Sequence, residues 1–573
     1  MPMQWWRKIT NYTVLNLASV YGGYCRKKQL KDSQRIDSVS EKQLLDFVHK
    51  NKNTVYGQKY GFDHIHTIQH YQDQVPFTTY DDYRDYVNRI AENGEQNVLT
   101  ADKVVFFAKT SGTSGEMKRI PVVKKATRPY TETVAVFMNI IHQEMKKRGI
   151  HCGRGLNTVE IETHTTQSGI KEGLISAYTL QSARLTIPVI TCFPKEIFGY
   201  GEGVDMKYLK AFYALKDRDL AYMAAVFMSN LTDLMTYIFE NTDRLIEDIA
   251  QGHISNDIVM PEILRTNLNK NLRPDTERAE ELRKIFREHS RSGIMTALWP
   301  KLCIVIGIGT GEFEGFAKKM RDYCGENVSF YHETYSSSEA LIANAVDVEC
   351  EDYRILTDSA FFEFIPVGEK AERPLLRQKA ERPLLRHELK VGQLYEIVIT
   401  NWSGLYRYRI KDVVRVTGFE GKNPLIRFAY RKNQVINITG VKLTTEHITH
   451  AMQEFEKTTG LHIADYTLYP DTSHSPWRIM LFMETEEEIS SEQKIRYAHI
   501  FDEKLSAMNR EHGRMLQIGE TDPSVICQVE RNTFREYREF RMRQGASQNQ
   551  IKTSRVINSP EVLKLFMDHT RIS

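Results

Sequence analysis

Two rhythms of apolar and polar residues run along this chain. Short apolar runs rich in β-branched and aromatic residues read as strands: Lys103–Phe107 and Leu302–Ile306 as buried ones, Ile120–Val123 as a short extended piece, and Phe361–Ile365, Leu394–Thr400 and Val413–Thr417 as further strand candidates. Three- and four-residue steps read as helices. The longest such pattern spans Asp219–Gln251, where Leu220, Met223, Phe227, Leu231, Leu234, Ile238, Leu245 and Ile249 recur and Gly252 is the stop signal. That stripe is expected to be core, with a ligand-pocket wall as the alternative. The first 100 residues read as helices and loops, with Tyr80–Tyr83 opening a helix. Met1–Lys28 predicts an ordinary N-terminal helix and not a signal peptide. Its apolar stretch, Val14–Val20, contains Asn16 and Ser19, and no small-residue cleavage site follows.

After Asn401 the pattern changes. Residues Asn433–Ile448 alternate, a helix follows, strands are expected around Tyr466–Tyr469 and Arg478–Met483, and a charged helix over Ser491–Asn509. The expected fold class is therefore α/β: a large N-terminal mixed-sheet domain (1–430) and a smaller α+β C-terminal domain (431–573). One segment stands apart. Lys370–Gln378 reads KAERPLLRQ and Lys379–His387 reads KAERPLLRH. Two proline-bearing copies are too few for a solenoid, so a mobile, exposed, insertion-tolerant loop without a catalytic role is expected.

Composition narrows the function classes. The chain has 573 residues, 41% hydrophobic and 26% charged, which excludes a mostly disordered or low-complexity chain. Its 77 basic and 74 acidic residues leave a net charge of +3, so no global basic field points to nucleic acid. Seven cysteines without a CxxC pair fit the reducing cytoplasm better than a disulfide framework or zinc ribbon. No run of 18 apolar residues exists, so neither a membrane span nor a membrane partner is expected.

The densest chemistry follows the first strand: Thr110-Ser111-Gly112-Thr113-Ser114-Gly115-Glu116-Met117-Lys118. Two glycines let the backbone curl with N–H groups inward, and hydroxyls and a lysine add donors. Such a loop can cradle phosphate oxygens. It is not a Walker A loop, whose lysine directly follows the second glycine. Gly307-Ile308-Gly309-Thr310-Gly311 also follows a strand, but Glu312 stands where the dinucleotide fingerprint needs glycine. A turn beside a nucleotide base and a plain strand-to-helix turn both fit it. Tyr335-Ser336-Ser337-Ser338-Glu339 offers an aromatic face, three hydroxyls and a carboxylate suited to Mg²⁺, or simply to solvent. Asp412 can accept both hydroxyls of a ribose, or close a salt bridge. His64, His66 and His70 cluster like metal ligands, but no cysteine or acid set completes them, so a surface helix or turn is expected. Ser111 and Ser336 lack the elbow of a hydrolase triad.

In this order the loops resemble the acyl-adenylate-forming superfamily, the luciferase and acyl-CoA synthetase-like enzymes. Within it they resemble the auxin-responsive acyl acid–amido synthetase family, known as Gretchen Hagen three. Thr110–Gly115 with Lys118 and Pro121, Tyr335–Glu339, Leu405–Val414, and Gly545-Ala546 with Asn549–Arg555 carry the resemblance. It implies a small mobile C-terminal domain, and an ATP site between it and the larger one, with ATP and Mg²⁺ as cofactors. Thr110, Ser111, Gly112, Thr113, Ser114, Gly115 and Lys118 would wrap the phosphates. Tyr335, with Ser336, would pack on the adenine near Gly309 and Thr310. Glu339 would hold Mg²⁺, Asp412 would take the ribose hydroxyls with Arg431 in support, and Lys552 would bridge the substrate carboxylate and the α-phosphate. Two positions depart from the pattern. Lys411 stands where glycine is usual, and is strained if φ is positive there. Ala340 stands where glycine is common.

The expected function is an ATP-dependent ligase that adenylates a carboxylic acid and passes the acyl group to an amino acid or other amine. A thiol acceptor (coenzyme A or a carrier protein) is the alternative enzyme, and a nucleotide-binding protein without turnover the alternative class. Retention of Lys118, Glu339, Asp412 and Lys552 argues against the last. The acid is not identified. Its pocket walls are expected from Gly155–Ile187 and the helix starting near Asp219, and a cytoplasmic monomer is the default.

Overall fold

The computed structural model describes residues 5–109, 118–158, 163–182, 187–197, 200, 203–310, 313–367, 382–432, 436–438, 441–544 and 553–571. The chain forms two compact units. The larger comprises Met1–Thr110, Met117–Ile410 and Val416–Arg427; the smaller comprises Ser111–Glu116, Lys411–Arg415 and Phe428–Ser573.

The larger unit begins with helix α1 (Trp5–Ser33), as the N-terminal pattern predicts. Strands β1 (Val104–Lys109) and β2 (Arg119–Val123) follow, then helix α2 (Arg128–Lys147), β3 (Arg154–Asn157), β4 (Thr163–Thr165), β5 (Lys171–Gly173) and β6 (Leu220–Phe227). Helices α3 (Met228–Glu240) and α4 (Thr242–Gln251) lead to β7 (Ile304–Ile308), β8 (Ser329–Tyr331), β9 (Thr334–Ser336), β10 (Leu341–Ala345), β11 (Tyr353–Ile355), β12 (Phe361–Val367) and β13 (Leu394–Thr400), then to β14 (Tyr408–Glu420) and β15 (Asn423–Arg431), of which Lys411–Arg415 and Phe428–Arg431 belong to the smaller unit. One sheet has the order β2-β1-β5-β4, a second β3-β6-β7-β8 and a third β12-β13-β14-β15-β11-β10-β9. The second sheet is wholly parallel.

The pattern over Asp219–Gln251 is corrected here. Its first part, Leu220–Phe227, is strand β6, and helix begins only at Met228. β6 lies between β3 and β7 and is covered on both faces, so nearly every position is apolar. A continuous apolar run fits a helical step as well as it fits a doubly buried strand. The rest of the stripe is core: Leu231, Leu234, Ile238, Leu245 and Ile249 are buried, and Gly252 closes α4 in the left-handed region at φ 71°.

The repeat also needs correction where it is described. Leu384 exchanges backbone hydrogen bonds with Phe364 of β12. Arg386 is buried and donates to Asn423 Oδ1 at 2.9 Å and to the Leu356 carbonyl at 2.9 Å. The end of the second copy is thus built into the fold, while residues 368–381 lie outside the described residues.

The smaller unit pairs β16 (Ile436–Ile438) with β17 (Val441–Leu443), then packs helices α5 (Thr445–Thr459) and α6 (Ser491–Met508) near a sheet of β18 (Ile463–Asp471), β19 (Arg478–Thr485) and β20 (Val525–Gln528). The alternating pattern expected up to Ile448 ends sooner, because the Thr444 hydroxyl accepts from the His447 N–H and caps α5. Among the described residues no helix is long and apolar enough to cross a membrane.

Candidate active site

The loop after β1 is a hairpin connection, since β1 and β2 pair antiparallel up to Lys109↔Arg119. Residues 110–117, including Thr110, Ser111, Gly112, Thr113, Ser114 and Gly115, lie outside the described residues. Its stems are well defined. Buried Glu172 on β5 takes Lys109 Nζ at 2.9 Å and Arg119 Nε at 2.7 Å. Burial raises the Glu172 carboxyl, but the hydrogen bonds and charges of Lys109 and Arg119 outweigh it and hold the group below its ordinary value. Both sides of the hairpin mouth are thereby tied to one carboxylate. Lys118 Nζ lies over the Tyr80 ring at 5.5 Å, and the Arg119 N–H donates to the Tyr80 hydroxyl.

The second motif returns to the same strand end. The Ser338 hydroxyl donates to the Lys109 carbonyl at 3.3 Å. The Ala340 N–H donates to Ser337 Oγ, and the Ser337 N–H donates to the Ala340 carbonyl, closing a tight turn. Ala340 is absent from the positive-φ residues, so alanine fits where the resemblance expects glycine. Glu339 is half-buried. Its Oε1 accepts from the Tyr408 hydroxyl at 3.3 Å, and Asn401 Nδ2 donates to its carbonyl. Burial, then the charge of Glu339, pushes the Tyr408 phenol well above its ordinary value, so it stays a donor. Among the described residues no cation pairs with Glu339. An oxygen donor without a positive partner fits a divalent cation.

Thr310 and Tyr335 meet around Tyr353. Thr310 Oγ1 lies 3.5 Å from the Tyr353 hydroxyl, which donates to the His332 carbonyl at 3.1 Å. The rings of Tyr335 and Tyr353 meet edge to face at 6.2 Å. A Cβ at Gly309 would lie 2.8 Å from Ala317 Cβ and 3.2 Å from His332 Cε1, so glycine is needed for close packing. Ser336 is exposed at the end of β9. Glu333, two residues before Tyr335, has φ 53° and a carboxyl that burial pushes up to about 8.

The third motif divides into support and site. Tyr406 is fully buried, with its hydroxyl donating to the Leu99 carbonyl. Arg407 donates to Glu363 Oε2 and to the carbonyls of Gln72 and Val75. These residues build the frame that presents Tyr408. In the smaller unit, Asp412 is 2% exposed and takes Arg431 Nε at 2.5 Å. Lys411, directly before it, has φ 65°. The expected strain is present: a side chain occupies the region glycine tolerates best.

Lys552 lies outside the described residues. The chain directly after it is fixed to β18. Thr553 Oγ1 donates to Asp465 Oδ2 at 2.7 Å, Arg555 Nη1 donates to Asp465 Oδ1 at 2.6 Å, and the Thr467 hydroxyl donates to the Ser554 carbonyl. Sequence reading missed Glu172, Tyr353 and Asp465. Each is distant in sequence from the motif it supports, and only the tertiary fold brings them together.

The comparisons with known proteins point one way. Residues 25–329 match the GH3 family N-terminal domain, 353–431 the GH3 family central domain and 446–561 the GH3 family C-terminal domain. The chain is 26% identical over 550 residues to the indole-3-acetic acid-amido synthetase GH3.4 of Arabidopsis thaliana, covering 92% of this chain and 91% of that protein. It is 26% identical over 570 residues to the 4-substituted benzoates-glutamate ligase GH3.12 of the same plant, covering 94% and 96%. The fold matches the solved GH3.15 acyl acid amido synthetase with a TM-score of 0.82 at 22% identity, covering 94% of this chain and 95% of that one.

Proposed function

The chain belongs to the GH3 family, and on that premise we propose that it is an ATP-dependent acyl acid–amido synthetase. It joins a carboxylic acid to ATP as acyl-AMP, releases pyrophosphate, and passes the acyl group to the amine of an amino acid.

The observation that supports this most is Glu339: a carboxylate without a cationic partner among the described residues, beside a turn tied to the end of β1. Carboxylate attack on the α-phosphate brings two anions together, and charge grows on phosphorus. The chain's part is to neutralise and orient. The hairpin between Lys109 and Arg119, with Lys118, holds phosphate oxygens through N–H, hydroxyl and ammonium donors. Glu339 would hold Mg²⁺, which when bound screens phosphate charge and polarises the P–O bonds. Tyr335 gives the adenine a face, with Gly309, Thr310 and Tyr353 around it. Asp412, oriented by Arg431, accepts the ribose hydroxyls. Lys552 brings the attacking carboxylate oxygen and the α-phosphate to one positive charge. The segment 431–573 acts as the mobile domain that delivers it, shielding acyl-AMP from water and then opening the way to the acceptor.

The acid remains to be measured, because relatives at equal identity are named for indole-3-acetic acid and for substituted benzoates. Incubation with Mg-ATP and aryl, indolic, benzoic and fatty acids, with hydroxylamine as trap, should yield a hydroxamate and pyrophosphate for one acid class. Amino acids should then accelerate AMP formation and yield an amide. Acceleration by coenzyme A in place of amino acids would overturn the acceptor assignment.

A further inference from the structure

Helix α1 already has a buried face. Asn11, Leu15 and Cys25 are at most 1% exposed, and Asn11 Nδ2 donates to the carbonyls of Gly153 and Val189. Asn139 of α2 donates to the Ser19 carbonyl. At Gly22 a Cβ would sit 1.9 Å from the Ala135 carbonyl oxygen, so only glycine permits this approach to α2. The helix is seated on the unit and is not waiting for a core.

Its outer face is nonetheless apolar. Ile9, Leu17, Val20 and Tyr24 are 57%, 67%, 74% and 63% exposed, with Tyr12 and Tyr21 beside them. These positions recur at helical steps, and Lys27 and Lys31 continue the same stripe. Single exposed apolar residues are ordinary; six on one helix face form a patch. The patch also precedes the GH3 match, which starts at residue 25.

Charge identifies the occupant. α1 carries Arg7, Lys8, Arg26, Lys27, Lys28 and Lys31, and the first acidic residue of the chain is Asp32. Arg26 and Lys28 turn to Asp347 and Asp358, whereas Lys27 and Lys31 make no ion pair among the described residues. A second copy would set this charge against itself, so self-association is disfavoured. We propose that the outer face of α1 docks on an anionic lipid bilayer, lying flat in the headgroup layer. The helix is about 43 Å long at 1.5 Å per residue. Ile9, Leu17 and Val20 enter the acyl boundary, Tyr12, Tyr21 and Tyr24 sit at headgroup level, and the lysines meet lipid phosphates and carboxylates. This departs from the sequence expectation of no membrane partner, which rested on the lack of a spanning segment.

Flotation of the full chain with phosphatidylcholine vesicles, with and without about one-third phosphatidylserine, tests it. The wild type should partition at least tenfold better into the anionic vesicles, and salt well above physiological strength should weaken this. Leu17→Ser/Val20→Ser/Tyr24→Ser and Lys27→Glu/Lys31→Glu should each lower partitioning about tenfold or more. Both variants should keep wild-type thermal stability and turnover of a water-soluble acid, because the positions are exposed. No partitioning of the wild type, or equal partitioning of wild type and variants, would overturn the proposal. So would a wild-type dimer in sedimentation that the serine variant converts to monomer, which would give the face to a second copy.

Discussion

Glu339 in the larger unit meets a neutral phenol, whereas Asp412 in the smaller unit meets a guanidinium. Glu339 is half-buried with its negative charge uncompensated among the described residues; Asp412 is almost wholly buried and already paired. The contrast teaches what each carboxylate can do. An uncompensated, partly open carboxylate attracts a cation. A compensated one has little left to offer a second cation, but its remaining lone pairs can accept hydroxyl hydrogen bonds.

The comparison breaks first at Glu339. Glu339→Gln keeps shape and removes charge, and should lower the adenylation rate by about 10²–10³-fold with thermal stability unchanged. A rate within a few-fold of wild type would remove Glu339 from the metal role. Glu172→Gln should act next, leaving Lys109 and Arg119 without their shared anion. Its expected cost is about 2 kcal/mol of stability and about tenfold in kcat/KM, read by denaturation and steady-state kinetics. The same residue sets a pH limit. Its folded-state value lies below the ordinary carboxylate value, so its stabilisation is complete above the unfolded value and is lost as pH falls through the folded one. Glu172→Gln should flatten that acid limb of the stability curve.

Asp412→Asn should raise the KM for ATP about tenfold while kcat changes less, as expected for a ribose contact made in ground and transition states alike. An equal fall in kcat and kcat/KM would place Asp412 nearer the reacting phosphate. The smallest effect belongs to Lys411→Gly. Relief of the positive φ should raise unfolding stability by about 1 kcal/mol, seen as a higher denaturant midpoint. If the KM for ATP also rises, the lysine is kept for its charge at the expense of strain.

Much of this was legible in the sequence because motifs are local. The strand before the first loop follows from neighbouring residues, and the Asp412–Arg431 pair and the strain at Lys411 follow from what the resemblance implies at those positions. The strand Leu220–Phe227 was not legible, because burial on both faces erases the alternation that marks a strand. Glu172 and Tyr353 were not legible as site residues either. Each is an ordinary residue in its own segment, made relevant by pairing across the fold. The end of the repeat was read as exposed because proline and charge favour loops, yet Arg386 finds Asn423 and a carbonyl inside.

The central claim is that a carboxylic acid is adenylated before any amine enters. Exchange of labelled pyrophosphate into ATP, run with Mg²⁺ and an acid panel but no amine, tests it directly. The account predicts exchange that depends on one class of acid, persists without amine and is lost in Lys552→Ala while ATP binding remains. Amide formation without such exchange, or undiminished exchange in Lys552→Ala, would contradict it.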